Sequence, residues 1–224
     1  MTETKALSPV PITISHMGAT ALLVQSDGPL SNDIQRRYWA FDKACEGLCE
    51  VVETVLGMHS LLVCLDPDCD PLEMQSVLEG LWGDTEPQDI EGRIIEIPVV
   101  YGGETGVDLP ELVKHSGLGI DEVIALHSGA DYVAYALGSQ PGFAYLGGMD
   151  PRLAMPRRTQ PRLSVDEGSV VIGGAQAGVI SRTSPSGWHI IGKTDLSFFD
   201  EQRDAPSLIV PGDTIRFVVK DVKA

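Results

Sequence analysis

Positive charge is scarce in this chain. Sixteen lysines and arginines stand against 32 aspartates and glutamates, a net charge of −16 over 224 residues. That balance opposes nucleic acid or an anionic membrane as a partner, and the scattered acids read as a solvated surface. Cysteine is thin as well. Cys45, Cys49, Cys64 and Cys69 all lie in the first third, at spacings that match neither a zinc knuckle nor a CxxC redox pair. They read as thiols of a reducing compartment. No apolar run approaches the ~18 residues of a membrane span. The N-terminal MTETKALSPVPITIS has no basic stretch leading into an apolar core, so the expected location is the cytoplasm.

Chemical signatures are missing too. The chain has no GxxxxGKS or GxxxxGKT phosphate loop, no GxSxG elbow, no HExxH, and no GxGxxG behind a strand. A Met–Lys pair, the usual attachment sequence for biotin, is absent. Asp66, Asp68 and Asp70 alternate like the acids of a calcium loop. Pro71, however, stands where the turn glycine belongs and Val77 where the bidentate glutamate belongs. The five histidines are too far apart to give local ligand spacing, so no metal site is expected.

What is present reads in order as follows. Short apolar runs at 11–14 and 21–25 predict two strands joined by a turn. Ser31 or Asn32 can cap a helix whose apolar face is Ile34, Tyr38, Phe41, Cys45 and Leu48. Strands follow at 50–55 and 60–65. Asp70, Pro71 and Glu73 then open a helix that buries Met74, Val77, Leu78 and Leu81. The polar, turn-rich residues 83–89 mark a boundary. Beyond it come a strand at 93–100, a helix begun by Asp108 and Pro110, a second helix at 121–127, and a strand at 132–137. Short strands at 169–172, 179–181, 188–191 and 214–219, split by glycine and proline, suggest a barrel or a sandwich.

Residues 138–194 concentrate glycine, proline, glutamine, arginine and aromatics. Rigid irregular backbone of this kind suits a recognition site, or simply the turns of a β-rich domain. Arg152, Arg157, Arg158 and Arg162 gather positive charge against the overall sign, as an anion site or as internal ion pairs would. His127 ends a predicted helix, whose C-terminus would favour the charged ring, and is either a cap or a substrate contact. His189, beside Trp188 in a strand, reads as a surface or cleft-lining residue. The Gln176 amide, among glycines, could orient a polar substrate or satisfy a turn.

The segments PGFAYLGGMDPRLAMPRR, GSVVIGGAQAGV and SPSGWHIIGKTDLSFFD resemble the signature of the KipI/PxpB family, also called allophanate hydrolase subunit 1. GATALLV, LLVCLDP, IPVVYGGETGVDL, ALHS and LIVPGDTIRF are similar to further landmarks in the same order, so the resemblance covers nearly the whole chain. It implies an α+β N-terminal domain over residues 1–88 and a mainly-β cyclophilin-like barrel domain over residues 89–224. It also implies a subunit of an ATP-dependent 5-oxoprolinase, which opens the lactam to glutamate. The partners implied are a second carboxyltransferase-like barrel subunit (PxpC/KipA-like) and a third, LamB/PxpA-like. The same barrel pair occurs in the carboxyltransferase part of biotin-dependent urea carboxylase, and one branch inhibits a sensor histidine kinase.

Ser139, Ala175, Ile180, Ser181 and Ser186 depart from the common pattern, and the GGAQ form is closer to the urea carboxylase branch. The substrate therefore stays open between a lactam and a urea-type amide. On this footing His127 and Gln176 are the expected catalytic pair, orienting polar atoms. Arg157 and Arg162 would hold an anionic substrate, with Pro141, Gly142, Phe143, Tyr145, Ser184, Trp188 and Lys193 around it. ATP with Mg would be shared with partner subunits, and no covalent biotin is expected on this chain.

Overall fold

The structure, a computed structural model, describes residues 10–29 and 31–223. Residues 1–9 of the N-terminal stretch considered above for a secretion leader lie outside them. The chain divides into two compact units, Met1–Ile90 and Glu91–Ala224. Among the described residues, no helix is long and apolar enough to cross a membrane.

The first unit runs β1 (Ile12–His16), β2 (Ala21–Ser26), α1 (Asn32–Cys45), β3 (Val51–Leu56), β4 (Ser60–Leu65) and α2 (Pro71–Asp84). Its antiparallel sheet has the order β1-β2-β4-β3. Helix α1 starts where the Ser31 hydroxyl accepts the Ile34 N–H, and α2 where the Asp70 carboxylate accepts the Leu72 N–H with Pro71 in the first turn. Both helices lay an apolar face on the sheet: Tyr38, Phe41 and Cys45 from α1, and Met74, Leu78 and Trp82 from α2, against Leu22, Val24, Leu61 and Val63. Each such side chain stabilises the fold by about 1.5–3 kcal/mol. Val77, expected in the stripe, is 46% exposed. The four-residue step through Met74, Leu78 and Trp82 turns it toward solvent.

The second unit begins with β5 (Ile94–Gly102), α3 (Leu109–Ser116), α4 (Ile120–Ser128), β6 (Asp131–Leu137) and β7 (Ala144–Gly147). It continues through β8 (Arg162–Val165), β9 (Ser169–Gly173), β10 (Gln176–Val179), β11 (Ser184–Ser186), β12 (His189–Lys193) and β13 (Thr214–Lys223). Seven strands close a barrel in the order β10-β7-β6-β13-β5-β12-β9, and β8 pairs with β11 as a separate ribbon. The β5–β13 pair is parallel, the others antiparallel. Of barrel and sandwich, the closed barrel is the one formed. Its core of Ile97, Val99, Tyr132, Leu146, Val170, Ile172, Ile215 and Phe217 also receives Leu109 and Leu112 of α3 and Val123 and Ile124 of α4.

The strand expected at 179–181 ends at Val179, because β10 pairs back on β9 from Gln176 opposite Gly173. The two residues between them turn the chain, with Gly174 at φ +65°. Strand β12 starts one residue late, and β13 runs on to Lys223 along β5.

His127 departs from expectation. The last turn of α4 drives it into the core, where it is fully buried, with Nδ1 2.8 Å from the Tyr101 hydroxyl. The ring packs on Phe217 at 4.4 Å and on Tyr132 at 5.5 Å between centroids. Burial pushes its pKa down to about 3, overturning the idea that the helix end would favour the charged ring.

Below the unfolded value of about 6.5 the unfolded chain takes up a proton that the folded chain refuses, so stability falls with pH by about 1.4 kcal/mol per unit. That loss continues to the folded value of about 3. Urea unfolding of His127→Leu across this range is expected to show a pH slope smaller by one proton. An unchanged slope would mean that His127 is not the group refusing the proton.

Candidate functional site

The glycine- and proline-rich stretch builds a groove on the barrel wall. The β6–β7 turn carries Gly142 at φ +76°, where a Cβ would stand 2.6 Å from the Phe198 carbonyl oxygen, so no side chain fits. Ser139 in the same turn is a non-glycine residue at φ +67°. The turn delivers Phe143 edge-on to Tyr145 at 5.0 Å and to Trp188 at 5.7 Å between centroids. Trp188 in turn lies against β9, because Gly173 has no Cβ; one would meet the indole at 2.5 Å. The groove so formed encloses about 300 Å³, with Gln140, Phe143, Tyr145, Arg157, Ser184 and Trp188 among its walls.

The arginine cluster resolves into two kinds. Arg152 pairs with Asp150 at 2.9 Å and Glu122 at 3.5 Å. Arg158 pairs with Asp108 at 3.2 Å and Glu111 at 3.6 Å, and Arg162 holds Asp108 through both terminal nitrogens at 2.7 Å. Arg157 differs from these three. Among the described residues it has no carboxylate partner, and its guanidinium stands 5.4 Å above the Trp188 ring.

Asp108 organises this region. It occupies the N-cap position of α3 but makes no capping bond there. Its buried carboxylate instead accepts from Arg158, from Arg162 and from the Ile190 N–H at 2.7 Å. Burial alone would raise its pKa. The hydrogen bonds from Arg162 and the Ile190 N–H, with the charges of both arginines, outweigh that and hold it below the usual carboxylate range.

A second groove of about 370 Å³ shares Arg157 and Arg158 with the first and is lined also by Glu111, Met155 and His189. His189 is 3% exposed, with Nε2 2.9 Å from the Pro156 carbonyl oxygen and Nδ1 3.7 Å from Glu111 Oε2. Asp108, Glu111 and His189 offer ligand atoms within 4.8 Å of one another, a spacing that suits a cation. The Arg158 guanidinium already bridges the two carboxylates, so positive charge is supplied by the chain itself.

The structure therefore brings Phe143, Tyr145, Arg157, Ser184 and Trp188 to one groove, with Pro141 and Gly142 in the turn that shapes it. It does not bring the rest of the expected set. Arg162 is spent on Asp108, and Lys193, at the end of β12, faces Asp166 at 3.6 Å. Gln176 is 6% exposed in β10 and lines neither groove, while His127 belongs to the core. Asp108, Glu111 and Gln140 were not foreseen as site residues; His189, read as a surface or cleft-lining residue, is buried and lines the second groove. Of the three unforeseen residues, only Asp108 showed in the sequence, as the start of a helix with Pro110.

Residues 12–209 match the family described as carboxyltransferase domain, subdomain C and D. A protein from Escherichia coli O157:H7, named as the B-type subunit of a 5-oxoprolinase, is 43% identical over 203 residues, 90% of this chain and 93% of that protein. The crystal structure of TTHA0988 is similar at TM-score 0.75 and 32% identity. That likeness covers 90% of this chain, which spans 40% of TTHA0988. The Kluyveromyces lactis urea carboxylase shares the fold, at TM-score 0.78 and 17% identity over 95% of this chain and 22% of that one. With a family match over most of its length and a relative this similar end to end, the chain belongs to the carboxyltransferase-domain family of subdomains C and D.

Proposed function

We propose that this chain is the B-type subunit of a cytoplasmic, multi-subunit 5-oxoprolinase, and that its cyclophilin-like barrel domain seats the carboxylate of the lactam. The observation that carries the placement is Arg157. It is a guanidinium without a carboxylate partner among the described residues, stacked on Trp188, at a groove walled by Phe143 and Tyr145 in a strongly acidic protein. A planar cation beside aromatic walls suits a small ring bearing one carboxylate. The Escherichia coli relative, named for a 5-oxoprolinase, supplies the substrate class.

The nucleotide belongs to another subunit on this reading. A triphosphate with Mg needs several uncommitted donors, yet Arg158 and Arg162 are held by Asp108, Lys193 by Asp166, and no phosphate loop exists. What the chain does supply is binding and orientation: the ring held against Phe143 and Tyr145, and the carboxylate on Arg157.

The test is reconstitution. Purified chain mixed with its barrel partner and a third subunit is expected to form glutamate from 5-oxoproline and ATP, and the chain alone to form none. The same mixture given urea and a carrier bearing carboxybiotin should yield no carboxylated urea. Turnover by the single chain at the rate of the assembly would sink the assignment of the nucleotide to a partner, and failure of the full mixture would sink the activity.

A further inference from the structure

The second groove contains two hydrogen-bond acceptors that face one another. The Pro156 carbonyl oxygen can only accept, so His189 Nε2, 2.9 Å away, carries the hydrogen. In the neutral ring Nδ1 then bears the lone pair. That atom is buried with no hydrogen-bond partner among the described residues and looks at Glu111 Oε2 from 3.7 Å. A lone pair opposite a carboxylate is a site that lacks one proton. Glu111 spans the inside and the outside: its side chain is 55% exposed, lines the groove, and is steadied by Arg158 at 3.6 Å. His189 is fixed in the wall by β12, whose backbone at Ile190 is tied to the same Asp108 that holds Arg158.

We infer that Glu111 and His189 form a proton relay in the second groove, serving the water that attacks a lactam seated in the first groove with its carboxylate on Arg157, which lines both grooves. The inference rests on the proposed lactam hydrolysis. The proton donor is the water that adds to the lactam carbonyl carbon. As the oxygen–carbon bond forms, the water O–H breaks, the carbonyl π pair moves to its oxygen, and the proton passes to Glu111 and on to His189 Nδ1. The resulting imidazolium donates on both sides, to Pro156 and to the regenerated Glu111 carboxylate. The oxyanion then takes the γ-phosphoryl of ATP held by a partner subunit, releasing ADP. As the ring C–N bond breaks, the stored proton returns to the nitrogen, the new hydroxyl gives its proton to solvent, and a second water hydrolyses the acyl phosphate to glutamate and phosphate. Glu111 is the catalytic residue of the pair, and His189 is the positioning residue that stores the proton.

Two measurements test it. Long-range ¹H–¹⁵N spectra of the isolated chain at neutral pH are expected to show His189 with hydrogen on Nε2 alone; hydrogen on Nδ1, or on both nitrogens, would overturn the relay. In the reconstituted assembly, Glu111→Gln is expected to lower kcat about 100-fold while KM for 5-oxoproline moves less than about 3-fold. An unchanged kcat, or a loss confined to KM, would overturn it. Glu111 is exposed enough for the variant to fold, whereas His189→Gln risks the β12 wall and serves as confirmation only if its melting curve matches wild type. A wild-type assembly that leaves 5-oxoproline intact would defeat the proposed function instead, and the tautomer would still decide whether the relay can exist.

Discussion

Replacing Arg157 by alanine is expected to raise KM for 5-oxoproline in the reconstituted assembly by about 10–100-fold, the weight of one charge-assisted hydrogen-bonded contact. The melting temperature should stay close to wild type. That asymmetry comes from the accounting of charge around the residue. Arg152, Arg158 and Arg162 each answer a carboxylate of the chain, so deleting any of them strands an acid; Arg157 answers none among the described residues and touches the Trp188 face. Arg157→Lys keeps the charge but loses the planar stack and the two-pronged donor geometry, and is expected to recover only part of the affinity. Steady-state kinetics with both variants, beside their thermal melts, decides the matter. Wild-type KM in Arg157→Ala would move the anion site elsewhere.

The two units differ in how far the sequence revealed them, and the reason is the range of the signals. In the first unit each element announces itself locally. Ser31 and the Asp70–Pro71 pair start helices by bonding backbone within three residues, and apolar spacing sets which face is buried. In the second unit β7, β8 and β11 are three or four residues long and contain glycine, proline or serine, so no alternation can build up. They exist because of partners far away in the chain, as Val165 opposite Ser184 illustrates.

The site followed the same rule. Phe143, Tyr145, Arg157, Ser184 and Trp188 came from a stretch whose composition no core could explain, together with the family resemblance. His127 could not be placed, because whether a helix end meets solvent or the barrel is settled by how α4 docks, not by its sequence. Asp108 shows the limit most clearly. By local pattern it is a helix cap, and only its arginine partners 50 and 54 residues on reveal a buried anchor.

Asp108→Asn is accordingly expected to be among the most destabilising single substitutions in the chain, by about 3–5 kcal/mol at neutral pH. The carboxylate side chain is 5% exposed and neutralises two guanidiniums that are themselves only 27–28% exposed. Taking its charge away leaves Arg162 without its paired carboxylate and Arg158 with Glu111 alone, and loosens the segment that carries Arg157. Activity should therefore fall together with stability, unlike Arg157→Ala, where only KM moves.

The acid dependence separates this residue from His127. Asp108 has a folded pKa depressed below its unfolded value of about 3.9. Its contribution is thus fully present above that value and is lost as pH falls through the folded pKa. The contribution of His127 has the opposite origin and is already declining below about 6.5. Urea unfolding of wild type and Asp108→Asn is expected to show a constant gap from neutral pH down to about pH 4, closing only in stronger acid. A gap below about 1 kcal/mol at neutral pH would mean that water, rather than Asp108, neutralises Arg158 and Arg162. The fixed frame behind Arg157 and Glu111 would then have to come from the β12 backbone alone.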